Sequence, residues 1–145
     1  MFNKILVAID LEAESAQVVL EKAAGLGSDS AEIWALHAVE PQYVQYSIDP
    51  TFTGALTRSM EEDAITAARS RMAELCADTG IPEDHQLVII GRAADRVHEV
   101  ATEKGVDTIV IGSHARKGLA RLLGSTANAV LHGSPVNIMT VRIGS

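Results

Sequence analysis

Apolar positions along the chain fall into short dense runs, separated by segments with helical spacing. Residues 4–10, KILVAID, form a run without alternation, as expected of a strand buried on both faces. The next segment, SAQVVLEKAAGLG, spaces Ala16, Val19, Leu20 and Ala23 as one helix face, with Gly25 or Gly27 as the left-handed residue that closes it. AEIWALHAV is a second strand, stopped by Pro41. Residues 41–53 hold two prolines, both tyrosines and no period, and read as a loop. An alanine-rich helix is expected from about Gly54 to Thr79, with Gly80 and Pro82 as stop signals. QLVIIG, DTIVIG and VNIMTVR are three more strands. AADRVHEVATEKG is a helix between the first two of these, with Lys104 in its last turn and Gly105 beyond it.

Strands that alternate with helices over short connections predict an α/β domain with an open, mostly parallel sheet and right-handed crossovers. One domain over residues 1–145 accounts for the pattern, and at 47% apolar residues it can bury a core. No apolar run approaches the roughly 18 residues that cross a bilayer, and the start lacks the apolar core of a signal peptide. The single cysteine, Cys76, excludes an internal disulfide and suits a reducing, cytoplasmic setting. A net charge of −7 argues against nucleic acid as a partner. Arg116, Lys117 and Arg121 nevertheless gather in one segment, which reads as a solvated surface or as a small-anion site.

Open parallel sheets bind ligands beyond the carboxyl ends of their strands, where the strand order reverses. The residues at those ends are Asp10, His37 to Glu40, Gly91–Arg92 and Gly112 to His114. If the first and fourth strands are neighbours, Asp10 and Gly112 flank one crevice. Asp10 suits the hydroxyls of a ribose or a metal ion beside phosphates, and equally a helix cap. The backbone of Val39 is placed to meet a purine edge, or is ordinary core. His37 reads as a satisfied core or surface histidine. No grouping of His, Asp, Glu or Cys has metal-ligand spacing.

The stretch VIGSHARKGLARLLGSTANAVLHG carries the remaining chemistry. Gly112 ends a strand, and Ser125 is expected to cap a helix from Thr126 to His132 that stops at Gly133. Leu119, Leu122 and Leu123 suggest a short helical turn between them. Free amides at a helix start, two hydroxyls and Arg116 or Lys117 together suit a polyphosphate. Neither a Walker A loop nor the G-x-G-x-x-G fingerprint is present.

KILVAID, LHAVE, GRAADRVHEVA and GVDTIVIGSHARKGLARLLGSTANAVLHGSPVNIMTVR, taken in order, resemble the universal stress protein family over essentially the whole chain. The resemblance implies a Rossmann-like fold of the adenine-nucleotide α-hydrolase type, with strand order 3-2-1-4-5 and helices on both faces. It also implies a homodimer or higher homo-oligomer paired through the C-terminal strand, and ATP as ligand, with Mg or Mn held through its phosphates near Asp10. Nucleotide-binding members carry Gly-x2-Gly-x9-Gly-Ser/Thr. Here Gly112 matches the first glycine, Ala115 replaces the second, and Gly124–Ser125 matches the final pair after a loop one residue short. By the same resemblance Asp10 lies near the ribose and metal, Ala8 stands where many members have proline, and the Val39 backbone meets adenine. Gly112, Gly124, Ser125 and Thr126 form the phosphate cradle, and His114, Ala115 and Arg116 lie in the loop over ribose and phosphates.

The implied role is a nucleotide-responsive regulator acting on a protein partner such as a membrane transporter. No nucleophile–base pair is visible, so at most slow ATP hydrolysis is expected. A stress-protein dimer that binds no nucleotide and an enzyme of nucleotide α-phosphate chemistry stay open as alternatives. A phosphoacceptor receiver ranks below them, because the third strand ends in glycine and the last strand has no lysine.

Overall fold

The computed structural model describes residues 2–11, 15–41, 50–114 and 125–143, with the backbone alone for residues 50–57, His114 and Ser125. The elements are β1 (Phe2–Ala8), α1 (Ala16–Leu26), β2 (Gly27–Val39), α2 (Pro50–Cys76), a 3-10 turn (Glu83–His85), β3 (Gln86–Ile90), α3 (Ala93–Lys104), β4 (Thr108–His114), α4 (Ser125–Leu131) and β5 (Asn137–Ile143). They build one five-stranded sheet in the order β3-β2-β1-β4-β5. Every neighbouring pair is parallel, with Leu6 of β1 opposite both Trp34 of β2 and Ile109 of β4.

The non-alternating runs are explained by burial on both faces. Ile5 and Val7 face α1 and α2, where they pack with Val19, Leu20, Ala68 and Met72. Leu6 points the other way, toward Val97 and Val100 of α3 and Ala127 and Val130 of α4. All three β1 side chains are fully buried, and each stabilises the fold by about 1.5–3 kcal/mol relative to exposure. The fold therefore has three layers, with β1 at its centre.

Several boundaries differ from the sequence expectation, each for a local reason. No left-handed glycine closes α1: Gly25 is helical and Gly27 is extended (φ −86°). Gly27 instead opens β2 four residues early, where a Cβ would lie 2.6 Å from that of Ala31. The helix α2 starts at Pro50, inside the expected loop, because proline at a first helical position loses no hydrogen bond and already holds φ near the helical value. It ends at Cys76, whose carbonyl accepts from the Thr79 amide and hydroxyl, and Gly80 (φ +77°) turns the chain away. Gly105 and Gly133 are left-handed stops as expected (φ +64° and +72°). The helix α4 takes in Ser125 as its first residue and ends one residue earlier than expected.

Gly112 does not end its strand. It lies inside β4, opposite Val141, and β4 runs on to His114. A Cβ on Gly112 would fall 2.5 Å from Ile143 Cδ1 and 3.0 Å from Val19 Cγ2. Packing of α1 and β5 over the strand therefore already calls for a small residue there.

Candidate functional site

The strand order reverses between β1 and β4, since β1 connects toward β2 and β3 on one side while β4 and β5 lie on the other. Their carboxyl ends are neighbours, with Ala8 opposite Ile111. Asp10 follows the end of β1, and Gly112 to His114 extend β4 beyond the last residue paired to β1. The switch point expected from topology therefore lies between β1 and β4, with Asp10 just past the end of one strand and Gly112 to His114 at the end of the other. Val39 closes β2 next door.

Each residue is fixed by its neighbours. Ala8 is half-buried and packs on the α3/α4 side. Asp10 is exposed between the buried Ile9 and Leu11 (both 6% exposed), which anchor it to the α1/α2 core. Val39 is half-buried against the same core. Its carbonyl accepts the Gly91 amide at 2.9 Å; a carbonyl has a second lone pair for a ligand. Gly91 (φ +146°) turns the chain out of β3, and the Arg96 Nε donates to the Ile90 carbonyl at 2.9 Å behind that turn. Thr126 is exposed in the first turn of α4. The His98 ring, on α3, donates from Nε2 to the Val130 carbonyl at 2.6 Å, which satisfies an end-of-helix acceptor and ties α4 to the body. Ala115, Arg116 and Gly124, together with Lys117, Arg121 and the leucines of the expected helical turn, lie outside the described residues. So do the side chains of His114 and Ser125.

His37 is a satisfied strand histidine, as expected, but its partner escaped the sequence reading: Nδ1 lies 2.9 Å from the Ile9 carbonyl. A carbonyl only accepts, so Nδ1 carries the proton. The signal available in the sequence was position, two residues before Val39 on a strand that ends at the ligand side. Ser15, just before α1, has its hydroxyl buried without a hydrogen-bond partner among the described residues and makes no side-chain cap bond. Residues 12–14 before it lie outside the described residues.

Among the described residues no three His, Cys, Asp or Glu side chains gather as a metal site. Two of the described groups have displaced titrations, and neither lies at the β1/β4 switch point. Amides of Asn3 and Lys4 hold the Asp107 carboxyl below its ordinary value, at the opposite end of the sheet. Burial pushes the Cys76 thiol up, with a smaller opposing effect from Thr79. No described helix is long and apolar enough to cross a membrane.

Comparisons with known proteins agree over the full length. The family model for the universal stress protein family matches residues 1–142. Universal stress protein A homolog 2 of Coxiella burnetii is 38% identical over 143 residues, covering 98% of this chain and 96% of that one. Among solved structures, a hypothetical protein whose biochemical function was assigned from its structure superposes with a TM-score of 0.72 at 24% identity, covering 100% of this chain and 99% of that chain. A universal stress protein in complex with cAMP superposes with a TM-score of 0.61 at 21% identity, covering 99% and 98%.

Proposed function

The chain belongs to the universal stress protein family, and from that premise we propose that it binds ATP in the β1/β4 crevice and works as a nucleotide-responsive regulatory protein. The observation that carries this reading is the reversal of strand order between β1 and β4, which brings Asp10, the end of β2 at Val39 and the end of β4 to one side of the sheet. A carboxylate there suits ribose hydroxyls, and a strand-end backbone suits a purine edge. That a fold neighbour was solved with cAMP supports the choice of an adenine nucleotide. Gly124, Ser125, Thr126, His114, Ala115 and Arg116 complete the phosphate side in this reading, with Mg or Mn carried by the phosphates beside Asp10. In this reading the activity is binding, with slow ATP hydrolysis at most. The readout is a protein partner, a membrane transporter being one such partner, engaged by a cytoplasmic homodimer joined at the β5 edge.

Calorimetry of the purified protein with ATP and Mg²⁺ or Mn²⁺ tests the reading directly. A one-site isotherm is expected, abolished in Gly124→Val, whose side chain would crowd the phosphates. No heat from the unmutated protein would sink it, and unchanged affinity in the variant would move the site.

A further inference from the structure

We propose that His37 is a positioning residue that clamps the Ile9–Asp10 peptide and thereby fixes Asp10 at the lip of the crevice. Beyond Ala8 the chain has left the strand ladder of β1, yet Ile9 is still tied to β2 at both of its polar atoms. Its amide donates to the Leu36 carbonyl at 2.9 Å, and its carbonyl accepts from His37 Nδ1 at 2.9 Å. The first bond continues the backbone pattern. The second replaces a backbone donor with an imidazole.

The consequence follows from peptide geometry. The peptide bond is planar, and no cis bond occurs among the described residues. The Ile9 carbonyl and the Asp10 amide are therefore antiparallel. With the carbonyl held toward β2, the Asp10 amide is directed to the opposite side, where β4 is the neighbour of β1. The imidazole sets this plane at the point where the backbone ladder no longer does. Its own place is secure, since β2 pairs with β3 as far as Val39 opposite Ile90. Rotation of that single peptide would re-aim both the Asp10 amide and its carboxylate, so the His37 hydrogen bond adds orientation to the anchoring by the buried Ile9 and Leu11. The bearing on nucleotide affinity rests on the ATP reading above; the clamp itself does not.

The test separates the two. In His37→Leu the volume is kept and the donor lost; in His37→Asn the amide nitrogen takes the place of Nδ1. ATP affinity is expected to fall about fivefold to tenfold in the Leu variant, as for one lost hydrogen bond, and to return within about twofold in the Asn variant at the same scale. Unfolding midpoints are measured alongside, and a purely structural role would make affinity follow stability rather than the donor. Wild-type affinity in the Leu variant, or no recovery in the Asn variant, overturns the proposal. Nitrogen-15 spectra of the nucleotide-free protein decide the clamp without any ligand. They are expected to show neutral His37 as the Nδ1–H tautomer, with an Asp10 amide resonance that moves in the Leu variant and returns in the Asn variant. An Nε2–H tautomer overturns the clamp whatever ATP does. If the unmutated protein binds no ATP while the tautomer is as expected, the clamp stands and the nucleotide reading alone falls.

Discussion

The two ends of the sheet are held together differently. At the amino end, side chains pack on one another and bond the backbone, although the Trp34 indole N–H is buried without a hydrogen-bond partner among the described residues. The Asp107 carboxylate accepts two amides from the start of β1, at 2.5 Å from Asn3 and 2.9 Å from Lys4. Trp34 stacks flat on His85 at 3.7 Å between ring centres, and the Lys104 ammonium sits 4.4 Å from the same indole ring. His85 is in turn fixed by Nδ1 on the Ile33 carbonyl. At the carboxyl end, the ties run to backbone acceptors: Ile9 to Leu36, His37 to Ile9, Gly91 to Val39. Those bonds order the strand ends and leave the Asp10 side chain exposed at the lip. One end is closed by side-chain contacts, the other by backbone bonds beside an exposed carboxylate.

The sharpest way to test that division is to damage the amino end and look for an effect at the other. Trp34→Ala removes a half-buried ring together with its stack and its cation contact. A loss of about 3 kcal/mol in unfolding free energy is expected, at the low end for a large aromatic because the ring is only partly buried. Urea unfolding followed by far-ultraviolet circular dichroism measures it. ATP affinity should stay within about twofold, since additivity holds for distant sites. An affinity loss as large as the stability loss would show that the ends are one cooperative unit.

The reverse experiment is Asp10→Asn. The carboxylate accepts charge-assisted hydrogen bonds that an amide makes only weakly, so ATP affinity should fall about tenfold. Stability should change by no more than about 1 kcal/mol, the scale of one hydrogen bond. A large drop in the unfolding midpoint with intact ATP binding would assign Asp10 to the stable part of the molecule and break the comparison.

How far the chain disclosed this in advance depends on the kind of signal. The five strands were legible because KILVAID, IVIG and their like are dense apolar runs, and burial on both faces leaves that mark. Helix ends were legible where a glycine must be left-handed, at Gly105 and Gly133; glycines that serve close packing were misread, Gly27 as a helix stop and Gly112 as a strand end. The start of α2 was misread because a proline suggests a break as readily as a first turn. Of the site, Asp10, Val39 and Gly112 stand at or near the strand ends where topology placed them, and Ala8, named through the resemblance, is the last residue of β1. His37 was legible as a satisfied histidine but its partner was not, because that depends on which backbone carbonyl ends up beside it, and no local pattern encodes a contact across 28 residues. The pairing of Trp34 with His85 is of the same kind.

The smallest expected effect concerns the Asp107 contact and acid. The Asn3 amide first, and the Lys4 amide next, hold its carboxyl below the ordinary value of 3.8. The folded state therefore releases this proton more readily than the unfolded chain. Where a folded value is depressed, the ionised group contributes stability above the unfolded value, and that contribution is lost as pH falls through the folded one. Asp107→Asn removes the ionisation while keeping an acceptor of similar shape. The unfolding midpoints of variant and wild type, measured from about pH 2 to pH 7 across the carboxylate range, should separate above that range and converge below it. The wild type should be the more stable at neutral pH by a small margin, because the group is exposed and solvent screens it. ATP affinity should not change at any pH where both proteins are folded. Curves that run parallel through the acid limb would mean that the carboxylate does not bind the start of β1, and the amino end would lose one of its side-chain locks.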